Sequence, residues 1–133
     1  MIAGGNATLL VADLDRALRF YVETLGFKLR INLRTPARPD SAASASWAEV
    51  DAGGGLMLAL HRAEADAPRK PGAPGSISVG FDVNQPIAEV VAVLSNRGVK
   101  FHGPVREEGA VKLAFFSDPD DNALYLVERD PAE

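Results

Sequence analysis

The sequence predicts an α+β protein of two βαβββ modules, whose sheets form a cleft-bearing, incompletely closed, barrel-like surface. Three observations carry this reading. An extended run recurs at an offset of 72 residues: Asn6-Ala7-Thr8-Leu9-Leu10-Val11 against Ser78-Val79-Gly80-Phe81-Asp82-Val83, then Leu18 with Val90, Val22 with Leu94 and Gly26 with Gly98. The last strands repeat at an offset of 66, matching Val50 with Phe116, Leu58 with Leu124 and Leu60 with Leu126. Between the copies, Glu64–Ser76 is rich in Pro, Gly and Ala, lacks periodicity and reads as a linker. The 133 residues are thus expected to form one domain, with modules at about 5–63 and 76–130 and a linker at 64–75.

The elements follow in order. After the first strand, Asp13 is a good N-cap for a helix whose apolar residues Leu14, Ala17, Leu18, Tyr21, Val22 and Leu25 fall at helical spacing. Gly26 can take the left-handed conformation that ends it. Lys28–Arg34 alternates Leu29, Ile31 and Leu33 against Lys28, Arg30, Asn32 and Arg34. That pattern predicts a half-buried strand whose polar face sits at one end of the cleft. Trp47–Val50 and Leu56–Arg62 are two further strands joined through Gly53-Gly54-Gly55. Thr35–Ser46 is the longer loop that lowers the offset from 72 to 66, and reads as a lid or a plain surface loop.

In the second module Pro86 suits the first position of a helix ending near Arg97, with Ile87, Val90, Val91 and Leu94 as its stripe and Gly98 as its stop. Val99–Val105 is the expected second strand, matching its counterpart less well. Val111–Phe116 and Ala123–Glu128 are the last two strands, reversed by Asp118-Pro119-Asp120-Asp121-Asn122. In the final strand Leu124 and Leu126 share one face and Tyr125 points to the other. Two half-covered sheets side by side leave free faces that can curl into one concave surface, the natural place for a ligand.

Composition narrows the function. The chain is 47% hydrophobic, and at this length it buries roughly two-thirds of its unfolded surface. A net charge of -4 argues against a nucleic-acid partner, which needs a basic face. The absence of cysteine removes disulfides, thiolate metal sites and a cysteine nucleophile. No apolar stretch approaches the roughly 20 residues of a membrane span, and the N-terminus lacks a signal-peptide pattern. A soluble, cytoplasmic protein with no membrane partner is expected.

"LLVADLDRALRFYVETLGF" and "FFSDPDDNALYLVE" resemble the first-module signature and the last hairpin of the vicinal oxygen chelate superfamily, which includes glyoxalase I, extradiol dioxygenases and bleomycin resistance proteins. The resemblance spans Asn6 to Glu128 and is specific for fold rather than reaction. Asp121 stands where the family usually has glycine, at a position that often needs a positive φ. The resemblance implies four metal-ligand positions, two in first strands and two in last strands. Here they hold Asn6, Ser78, Ala59 and Tyr125, none of which matches the family pattern, so no metal and no cofactor are expected. It also implies that Trp47, Glu49, Leu113 and Phe115 face the cleft, and that the working unit is a homodimer.

Strand parity adds Met57, Ala59 and His61 to the Tyr125 side, with Asn6, Thr8, Ser78 and Gly80 on the first strands. Bland readings stand beside these. Trp47 and Tyr125 are equally readable as packed aromatics. Glu49 is a solvated rim residue, a partner for an arginine, or a general base. His61 and His102 fit the surface, and Asp118, Asp120 and Asp121 fit a turn rather than a calcium loop. Three functions follow. The leading one is metal-independent sequestration of a small, partly aromatic molecule, as in the bleomycin resistance proteins. The alternatives are a glyoxalase- or dioxygenase-like lyase or isomerase with a displaced site drawn from Glu49, Tyr125 and His61, acting as acid and base or as an unusual metal set, and a non-catalytic domain that binds a peptide or protein.

Overall fold

The computed structural model describes residues 1, 5–32, 47–63, 70–73 and 78–129. The expected loop at 35–46 and most of the linker lie outside them. The first module runs β1 (Ala7–Val11), α1 (Leu14–Leu18) continuing as a π-helical turn (Arg19–Thr24), β2 (Lys28–Asn32), β3 (Trp47–Gly53) and β4 (Leu56–Arg62). The second runs β5 (Ser78–Asp82), α2 (Ile87–Asn96), β6 (Arg106–Glu108), β7 (Val111–Ser117) and β8 (Ala123–Arg129). Each module makes its own four-stranded sheet, ordered β1-β4-β3-β2 and β5-β8-β7-β6. The outer pair β1/β4 or β5/β8 is parallel and the rest antiparallel. Among the described residues no helix is long and apolar enough to cross a membrane.

The registers realise both sequence offsets. Thr8 lies opposite Ala59 and Gly80 opposite Tyr125; Glu49 lies opposite Ala59 and Phe115 opposite Tyr125. The alternate set, including Leu9, Val50, Leu58, Leu60, Phe116, Leu124 and Leu126, is buried in one apolar cluster drawn from both modules. Phe27 and Phe81 meet edge-on at 5.1 Å and help join the two halves.

The helices end as their caps dictate. Asp13 accepts a hydrogen bond from the Arg16 N–H at 3.2 Å, and Gly26 and Gly98 follow their helices at φ 84° and 95°. Three expectations change. The first helix widens at Arg19, with the Leu25 N–H reaching the Phe20 carbonyl five residues back. Pro86 caps α2 rather than opening it, and the Glu128 carboxylate supplies the side-chain cap that Pro86 lacks, accepting from the Ile87 N–H at 2.6 Å. Val99–Val105 is not a strand. Gly103 turns the chain at φ 106° before Pro104, which has no N–H to donate, and only Phe101 bridges to Phe116. Pairing starts at Arg106 instead.

The second strand also departs from strict alternation. Leu29 lies opposite Val50, but the register shifts after it, so Ile31 lies opposite Glu49 and Asn32 opposite Ala48. A bulge of this kind exchanges the two faces from that point on. Being an edge strand, β2 is covered on one flank only, and Leu29 and Ile31 are 43% and 40% exposed rather than half-buried.

Candidate functional site

On the free face of the second sheet, Tyr125 lies across Gly80. A Cβ added to Gly80 would fall 2.3 Å from Tyr125 Cζ, so only glycine admits the ring in this pose. Phe115, opposite Tyr125 on β7, has its ring 5.7 Å away and tilted by 37°. Arg106, opposite Leu113, shares that face and holds its guanidinium 5.3 Å from the Phe115 ring centre. Phe115, Tyr125 and Leu113 are half-buried, and Ser78 and Arg106 are exposed.

The first sheet carries a second, more polar group. Trp47 Nε1 donates to Glu49 Oε2 at 2.9 Å, and the Trp47 ring tilts against His61, its ladder partner, at 5.5 Å. Ala59 is buried between Thr8 and Glu49. Met57 is half-buried opposite Asp51, and exposed Thr8 donates to Asn6 at 3.3 Å. Among the described residues no ring contact or side-chain hydrogen bond joins the Trp47 group to the Tyr125 group. The predicted residues thus form two groups, one per sheet.

Parity of the last strands located most of these side chains. Sequence reasoning missed Ile31, because a bulge leaves no mark in an alternating sequence. It missed Arg106, because Arg106-Glu107-Glu108 has no apolar alternation to announce a strand.

The four positions where the superfamily resemblance implies metal ligands do not fit a metal. Ala59 offers no donor atom, and the Tyr125 ring fills the space over Gly80. Asn6 and Ser78 are weak donors for a transition metal. Among the described residues no three His, Asp or Glu side chains gather as a ligand set.

Carboxylates are concentrated instead in the turn before β8, where Asp121 adopts φ 65°. Asp118 is buried and accepts from the Tyr21 hydroxyl at 2.7 Å, the Asn122 side-chain amide at 2.8 Å, and the Asp120 and Asn122 N–H groups at 2.9 Å. Burial, reinforced by the Asp118 charge, holds the Tyr21 phenol well above its ordinary range, so it remains a donor. Asn122 in turn donates to the Leu10 carbonyl and accepts from the Gly72 N–H. Asp120 pairs with Arg16 at 2.7 Å and accepts from the Ala12 N–H, while burial raises its pKa against those two attractions. These contacts cross between modules, so the turn is a structural clasp.

A shallow depression of about 250 Å³ lies elsewhere, between α1, its π turn and β2, lined by Leu18, Val22 and Leu29 with Asp15, Arg19 and Glu23. It is on the helix side and touches neither aromatic group.

Paired βαβββ modules, each with a four-stranded sheet whose face away from the apolar cluster bears aromatic side chains, define the fold class. The profile of the Glyoxalase/Bleomycin resistance protein/Dioxygenase superfamily matches residues 5–126. The chain belongs to this superfamily. It is 28% identical over 126 residues to the lactoylglutathione lyase of Haemophilus influenzae, covering 92% of this chain and 90% of that one. Among solved structures it resembles a superfamily member from Sphaerobacter thermophilus, at 29% identity and TM-score 0.74, covering 97% and 98% of the two chains. It also resembles TnmS3, an antibiotic binding protein from Streptomyces sp. CB03234, at 28% identity and TM-score 0.69 with the same coverage.

Proposed function

We propose that the protein binds a small, partly aromatic molecule without metal chemistry, as an antibiotic binding protein does. The observation that carries this is the Tyr125 ring lying over Gly80 and extending the aromatic wall of Phe115, at a position where the superfamily resemblance implies a metal ligand. Aromatic contacts of this kind contribute about 0.5–1.5 kcal/mol each beyond buried area. Trp47, Glu49 and Met57 supply a second wall, and Asn6, Thr8 and Ser78 supply polar contacts at the rim. Likeness to an antibiotic binding protein supports the reading.

The working unit on this reading is a homodimer. Among the described residues each sheet leaves its edge strands unpaired, and β2 exposes Leu29 and Ile31 beside such an edge. Light scattering at micromolar concentration should return twice the chain mass; a monomer mass would remove this part.

Likeness to lactoylglutathione lyases favours a second reading, in which Glu49 acts as base with Tyr125 or His61 as acid. The two readings separate by experiment. Native mass spectrometry of protein taken straight from cells should show a small-molecule adduct that Tyr125→Ala loses. Turnover of a small carbonyl compound that Glu49→Gln abolishes with affinity intact would favour the lyase instead.

A further inference from the structure

The face of the second sheet carries a positive charge, where the first-sheet group has the carboxylate of Glu49. Arg106 is exposed on the edge strand β6 and stands over the Phe115 ring. A cation over an aromatic face is held there favourably while its N–H fork stays free. Phe115 on β7, Tyr125 on β8 and bare Gly80 on β5 form one row, and Arg106 on β6, registered with Leu113 two residues along, leans its guanidinium over the Phe115 end of it.

The other charges on this face do not cancel Arg106. Asp82 is paired with Arg129 at 3.1 Å. Glu108, two residues along on the same side, is exposed and forms no ion pair with Arg106, which has no acidic partner among the described residues. Charges beyond a Debye length of about 8 Å are largely screened, which leaves Arg106 and the exposed Glu108 as the nearby charges, and of the two Arg106 is the one held over the Phe115 ring. A guanidinium fork is matched by a carboxylate, and a planar ring by the Phe115–Tyr125 wall.

We infer that this face takes a planar aromatic carboxylate, its ring on Phe115 and Tyr125 and its carboxylate on Arg106, a ligand class that presupposes the aromatic-binding reading above. Naphthoate and naphthamide, equal in shape and differing in charge, test it by calorimetry. The intact protein should bind naphthoate about tenfold more tightly, as one charge-assisted contact allows. Arg106→Gln should erase that preference, bringing naphthoate and naphthamide to equal affinity, whereas Tyr125→Ala should weaken both and keep the preference. Glu108→Gln should strengthen naphthoate alone. Equal binding of the two probes, or a preference that survives Arg106→Gln at an unchanged melting temperature, overturns the carboxylate assignment only. If neither probe binds the intact protein, the aromatic-binding reading falls with it.

Discussion

At Gly80 a missing side chain decides where Tyr125 can lie. Gly80→Ala would place a methyl group 2.3 Å from Tyr125 Cζ, so the ring must swing away. The backbone there needs no unusual φ, so the protein should still fold. Expected is a loss of aromatic-ligand affinity comparable to Tyr125→Ala with little change in melting temperature; unchanged affinity would show that the ring pose does not matter. Tyr21 behaves in the opposite way. Its hydroxyl donates to a buried carboxylate, and Tyr21→Phe should cost about 1.5–3 kcal/mol of stability, read from urea unfolding, with binding untouched. The sequence shows both tyrosines as members of apolar patterns, and strand parity alone gives the side of Tyr125. The partner of Tyr21 is 97 residues away, and no local pattern encodes such a contact.

At the scale of elements, the helices and last hairpins were legible because caps and periodicity are local. The β2 bulge was not, because it depends on how Leu29 and Ile31 register against β3. One consequence is measurable at Asp51. Its carboxyl is held below the usual carboxylate range, first by the Gly53 N–H and then by Arg30, which pairs with it at 3.0 Å. A depressed folded pKa means the stabilisation is present above the unfolded value and lost as pH falls through the folded one. Both groups are solvent-accessible, so the effect on global stability is small. In an NMR pH titration Arg30→Gln should move the Asp51 midpoint upward but not fully to its ordinary value, since the Gly53 contact remains. A full return would mean that Arg30 alone sets it.

For the molecule as a whole, the question is whether two modules behave as one unit. The apolar cluster draws on both, and the Asp118–Asn122 clasp ties the second module's last hairpin to the first module. Asn122 is 2% exposed and bonds at once to Asp118, the Leu10 carbonyl and the Gly72 N–H. Asn122→Ala leaves those last two groups without their partner, at about 1–3 kcal/mol for each buried polar group so orphaned. If the modules fold cooperatively, the variant should melt in a single transition shifted down by roughly 10 °C, and amide protection should fall in β1 and β8 alike. Two separated transitions, or protection lost in only one module, would show that the clasp merely fastens independent halves. The distinction reaches the ligand as well. A cooperative chain fixes the Trp47 and Tyr125 faces relative to each other, so Asn122→Ala should weaken aromatic binding at temperatures where both sheets are still intact. Independent halves would leave that affinity unchanged until the second sheet itself unfolds.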